Sequence, residues 1–232
     1  MSNKDHKRQK AAMKKRRKAK TRLKAAVMQT INSLSLKSWL MKAREFPFEE
    51  CLINKDWDEK GTGSEGLIRL LVSRRQSNGN LLFATYLVDT FCLGLKDTLW
   101  DANLSQSQYN DWVNRVYFDV EPIKCELDFA HQMIYQAIEY AARFGFKPNR
   151  DFKMTQHNLM ERGTLPEPHH LEFGKDGKPF FVNGPRDNVK VILDKLERSV
   201  GVGNYEFLIH LPEEFVDEDD FYAQDEADST EE

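Results

Sequence analysis

Cysteine is scarce in this chain of 232 residues: Cys51, Cys92 and Cys125 are odd in number, widely spaced, and form no C-x-x-C pair. That spacing argues against a disulfide framework or a zinc ribbon and for buried thiols in a reducing cytosol. Long apolar runs are missing too. No stretch approaches the roughly 18 consecutive apolar residues of a membrane span, and residues 25–40 are interrupted by Gln29, Asn32, Ser33, Ser35 and Lys37. A secretory leader is not indicated, and a soluble, cytoplasmic protein without a membrane partner is expected.

Two further absences are local. From Lys4 to Lys24 there is one acidic residue, Asp5, against twelve Lys or Arg, and there is no aromatic side chain. From Glu213 to Glu232 the pattern inverts, with eleven acidic residues and no basic one. Between them, residues 25–212 carry 22 basic and 25 acidic residues. The formal net charge of -3 therefore conceals a cationic head of +11, a near-neutral body and an anionic tail of -11. Like-charge blocks stay solvated and serve as interaction tails.

What is present suits one sizeable core. Apolar residues make up 40% of the chain, and the 15 Phe run from Phe46 to Phe221. The organisation expected is a basic arm (1–24), a single α+β domain (25–212) and a disordered acidic tail (213–232).

Residues 6–34 lack Gly and Pro and favour helix. Leu23, Val27, Ile31 and Leu34 fall at helical spacing, so the second half of this segment is expected to pack while the first half projects. Residues 48–53, "FEECLI", suggest a strand. "GLIRLLVSRRQSNGNLLFATYLVD" (66–89) reads as an antiparallel hairpin with Asn78-Gly79 in a type I′ turn. Residues 90–100 fit neither period.

A short helix is predicted over 105–116. A long central one is predicted over 121–146, opened by Pro122 and closed by Gly145, with Ile123, Leu127, Ala130, Ile134, Ala137, Ile138 and Ala141 on one arc. Another helix is expected from Asp151 to Met160. A second hairpin is expected over 169–185 around Asp176-Gly177, then a helix over 186–200 with Asp187 as candidate cap and Gly201 as stop, and a final strand over 204–211. Without β-α-β alternation carrying a glycine fingerprint, α+β is preferred to α/β.

Several clusters invite chemistry. His131, Tyr135 and Glu139 lie at i, i+4 and i+8 beside an apolar wall, suited to acid–base work or to a plain polar border. His169 and His170 are adjacent, which in a strand points them to opposite faces. Asp89, Cys92, Lys96 and Asp97 cluster after a strand, where acidic groups can hold Mg²⁺ or simply end secondary structure. Asn183, Gly184 and Arg186 precede a helix and form a candidate anion site, although neither the second Gly nor the Lys-Ser/Thr of a P-loop is present. No catalytic residue, metal site or cofactor is assigned.

The arm carries the functional reading. Lys7, Arg8, Lys10, Lys14, Lys15, Arg16, Arg17, Lys18, Lys20, Arg22 and Lys24 offer phosphate contacts with little means of reading bases. RNA or a ribonucleoprotein is the expected partner, because arginine-rich segments order on RNA. Alternatives are a hydrolase or nuclease delivered to nucleic acid by the arm, a protein-interaction adaptor, a nuclear localisation signal at "KKRRK" (14–18), or a solubilising extension. The tail can compete with phosphate for the arm and so filter weak binding.

Overall fold

A computed structural model describes residues 14–15, 18–19, 21–23, 36–58, 66–161, 163 and 169–210. Residues 36–41 are helical (α1), and a single 3-10 turn, Ala43–Glu45, leads into β1 (Phe48–Asn54). An antiparallel meander follows through β2 (Leu67–Arg75), β3 (Leu81–Asp89) and β4 (Gly94–Leu104). After α2 (Gln106–Val116) the chain returns to the far edge as β5 (Pro122–Lys124), giving the order β4-β3-β2-β1-β5. Then come α3 (Leu127–Ala142), the short α4 (Phe152–Thr155), β6 (Phe180–Val182), α5 (Val189–Val200) and β7 (Glu206–Leu208). The fold is α+β.

The central strands are apolar on both faces because both faces are covered. Ile68, Leu70, Val72, Ala84, Tyr86 and Val88 meet Ala130, Met133, Ile134 and Ala137 of α3. On the other face Leu71, Leu81 and Phe83 meet Tyr109 and Tyr117, with the half-buried Trp112, Val113 and Val116 beside them. Each strand thus keeps the side-chain period of two, but the sequence reads as a continuous apolar run. Leu40 and Ala43 pack on Leu82 and Ala102, which anchors the chain entering the domain. A fourth core joins the α3 C-terminus to α5, β6 and β7 through Tyr140, Phe144, Phe181 and Leu196.

The first hairpin forms with a different turn. Gln76 and Asn80 close a three-residue loop, the Gly79 N–H donates to the Gln76 carbonyl at 2.9 Å, and within this loop only Gly79 takes a positive φ, 83°. A type I turn followed by a left-handed glycine replaces the expected I′ turn, a geometry that Asn-Gly also serves. The two consecutive positive φ angles of an I′ turn occur instead at Asp176 (51°) and Gly177 (78°), between mutually hydrogen-bonded Lys175 and Lys178.

That turn does not open a longer hairpin. β6 pairs in parallel with β7 across α5, Phe181 opposite Phe207, so a small parallel β-α-β unit completes the domain where antiparallel pairing was expected.

The long helix starts later than predicted. Pro122 begins the edge strand β5, and α3 starts at Leu127 after an extended Glu126. β1 would otherwise show an unpaired edge: Lys55 donates to the Glu121 carbonyl at 2.9 Å and Cys125 to the Cys51 carbonyl at 3.1 Å. An edge strand tolerates proline at its first position. The helix expected over 151–160 shortens to α4 and a 3-10 turn, Gln156–Asn158. Ser105 and Gln108 form a reciprocal capping box on α2.

Candidate functional site

Within the arm, Lys14, Lys15, Lys18 and Arg22 are helical and exposed. Lys14, Lys18 and Arg22 are four residues apart, the spacing that stacks side chains along one face of a helix. Lys7, Arg8, Lys10, Arg16, Arg17, Lys20 and Lys24 lie outside the described residues, as does the acidic tail. Of the residues expected to pack, Leu23 is 67% exposed, while Val27, Ile31 and Leu34 lie outside the described residues. The packing observed lies further along, at Leu36, Trp39, Leu40 and Ala43.

A second locus arises from tertiary folding. At the end of β3, Asp89 is buried, and its Oδ1 accepts from the N–H groups of Phe91 and Cys92, both at 2.9 Å. Burial raises the Asp89 pKa above its ordinary value, partly offset by nearby Lys96 and by these amides. Burial first, and the Asp89 charge second, push up the Cys92 thiol.

Lys96 leaves β4 from the same region and meets Asp187, with Nζ to Oδ2 at 2.7 Å. These side chains retain 15% and 16% exposure, so the pair is largely withdrawn from water. The same Oδ2 accepts the Gly184 N–H at 2.8 Å. Asp187 thus occupies, as the protein's own carboxylate, the amide that the sequence offered to an outside anion. Asn183 is tied to the backbone of His210 in both directions, at 3.2 and 2.6 Å, while Arg186 is exposed. Asn188, not Asp187, caps α5, its side chain accepting from the Val191 N–H at 3.2 Å. Beside the pair lies a cleft of about 210 Å³ whose apolar wall is Phe91, Phe180, Val182 and Leu208 and whose polar wall includes Lys96 and His210.

The other sequence candidates do not assemble into sites. His131 is buried with its ring 4.5 Å from that of Tyr135, whereas Glu139 is exposed. His169 Nε2 lies 3.2 Å from Asp128 Oδ2 and its backbone N–H donates to Gln132 at 2.6 Å, while His170 is exposed. Asp97 accepts from the Asn149 amide at 3.0 Å. Among the described residues no group of three or more His, Cys, Asp or Glu is placed to hold a metal ion, and no helix is long and apolar enough to cross a membrane.

The Lys96–Asp187 pair escaped sequence reading because its partners are 91 residues apart and no local pattern links them. No family model matches the chain, and neither a curated protein nor a solved structure matches it.

Proposed function

We propose that this protein associates with RNA, free or within a ribonucleoprotein, through its basic arm. The observation that carries the reading is that Lys14, Lys15, Lys18 and Arg22 are each helical and exposed, with Lys14, Lys18 and Arg22 at four-residue spacing, inside a segment of +11. Cations on a helical stripe meet successive backbone phosphates and release condensed counterions, giving affinity without base readout. The proposed setting is the cytoplasm, where free thiols such as Cys51, Cys92 and Cys125 persist.

The test is the salt dependence of binding to a labelled single-stranded RNA, measured by fluorescence anisotropy for the intact chain and a variant with Lys14, Lys15, Lys18 and Arg22 changed to Gln. Each phosphate contact on a single strand contributes about 0.7 to the slope of log K against log salt. Losing four contacts flattens the slope by about 3. An unchanged slope sinks the proposal, and parallel titration of duplex DNA distinguishes RNA preference from general polyanion binding.

A further inference from the structure

Cys51 sits on β1 and Cys125 immediately follows β5, 74 residues later. The β1–β5 ladder pairs Leu52 with Lys124 and Ile53 with Ile123, and one more step in that register sets Cys51 opposite Cys125. The Cys125 N–H donates to the Cys51 carbonyl at 3.1 Å, so the step is made. Residues directly opposed in an antiparallel ladder share a face, and both thiols belong to the core under α3.

The backbone geometry suits a crosslink. Hydrogen-bonded antiparallel partners hold their Cα atoms about 5.5 Å apart, inside the window of roughly 4.4–6.8 Å that a disulfide spans. The sulfurs stand 3.0 Å apart as free thiols. Cys51 is buried, while Cys125 is partly exposed. Contact with Cys125 first, and burial second, push the Cys51 thiol far above its ordinary value, leaving Cys125 as the sulfur an oxidant reaches.

We propose that Cys51 and Cys125 are a peroxide-sensitive dithiol whose oxidation reversibly locks edge strand β5 onto β1. The Cys125 sulfur, as thiolate, attacks one oxygen of hydrogen peroxide. The O–O bond breaks and hydroxide leaves, becoming water with the thiol's proton, so that Cys125 carries a sulfenic acid. Cys51 then attacks the Cys125 sulfur. The S–O bond breaks, a second water leaves with the Cys51 proton, and the disulfide forms. Two thiols have lost two protons and two electrons, and one peroxide has become two waters.

The lock would act on a narrow element. β5 has only three residues, and Glu126, which follows it into α3, makes no side-chain cap. A covalent tie at Cys125 therefore restrains both the sheet edge and the start of the helix.

The test treats the full chain with hydrogen peroxide, blocks remaining thiols under denaturing conditions, and maps crosslinks by peptide mass spectrometry. The expected product is an intramolecular Cys51–Cys125 disulfide, lost on adding dithiothreitol, with Cys92 blocked as a free thiol. Hydrogen exchange at residues 122–130 slows in the oxidised form. In a Cys51→Ala variant, shown folded by circular dichroism, the Cys125 sulfenic acid persists and is trapped by dimedone. Exclusive over-oxidation of Cys125, crosslinking through Cys92, or thiols untouched while the chain stays folded each overturn the proposal.

Discussion

Replacing Lys96 with Met keeps a stem of similar length but removes the ammonium, leaving the Asp187 carboxylate with the Gly184 N–H at 2.8 Å as its partner among the described residues. Exposed ion pairs contribute about 0.2–1 kcal/mol. Breaking a fully buried pair by removing one partner costs about 3–5 kcal/mol. Exposures of 15% and 16% place this pair near the buried limit, but with water still reaching it. Lys96→Met is therefore expected to lose about 2–3 kcal/mol. Asp187→Asn keeps an acceptor for Gly184 and is expected to lose about 1–2 kcal/mol.

The assay is urea unfolding of the wild type, both single variants and the double variant. Groups in direct contact couple by about 0.5–3 kcal/mol, and about 1.5–2 is expected here. A coupling below about 0.5 kcal/mol would refute the reasoning, because it is the behaviour of a solvent-screened surface pair. A companion variant asks what the locus accepts. In Asp187→Ala, Lys96 and the Gly184 N–H face the vacated carboxylate position, so added acetate should raise the melting temperature of this variant and leave that of the wild type unchanged.

Three other outcomes follow from particular residues. Gly94 has φ of 68°, and an added Cβ would meet Ala137 O at 2.7 Å and Ala141 Cβ at 2.8 Å. Gly94→Ala is expected to cost about 2–4 kcal/mol from left-handed strain and overlap. Gly79→Ala, with nothing within 4 Å, carries the strain alone, about 1–2 kcal/mol; equal losses in urea melts would contradict this account of Gly94.

Burial raises the Asp89 pKa, so the folded state favours its protonated form and this residue's contribution falls as pH rises from 3.8 through its raised value. Asp89→Asn keeps the acceptor for Phe91 and Cys92. The stability of the variant relative to the wild type should therefore grow in paired urea melts as pH rises from 3.8 through the raised Asp89 value, and a flat or falling difference contradicts the sign. Deleting residues 213–232 removes eleven negative charges and should tighten RNA binding at low salt; unchanged affinity argues that the tail does not compete for the arm.

Much of the antiparallel sheet was legible because its signals are local. The β-rich runs on either side of Asn78-Gly79 gave β2 and β3, and residues 105–116 read as the short helix that is α2. β4 was hidden because its pairing with β3 slips register twice, between Leu81 and Phe83 and between Leu87 and Val88, which breaks the period of two. β5 was hidden because Pro122 suits a helix start as well as an edge strand, and the unpaired edge of β1 that selects the strand is not a local property. The parallel pairing of β6 with β7 depends on α5 crossing between them. Residues 87–97 and 183–187 each drew notice, but Lys96 meets Asp187 only once both segments are placed beside the same cleft. Side chains that act at contact range across the fold leave no spacing in the sequence. The basic residues do, because Lys14, Lys18 and Arg22 recur every four residues.

The most direct test of the RNA-binding account compares the intact chain with one lacking residues 1–24 on the same single-stranded RNA, from about 50 to 200 mM salt. With six to ten phosphate contacts, affinity for the intact chain should fall steeply across that range, with a slope of roughly -4 to -7. The truncated chain should bind weakly and with little salt dependence. Equal affinity and equal slope for the two chains, with both folded, would contradict the claim that the arm is what holds RNA.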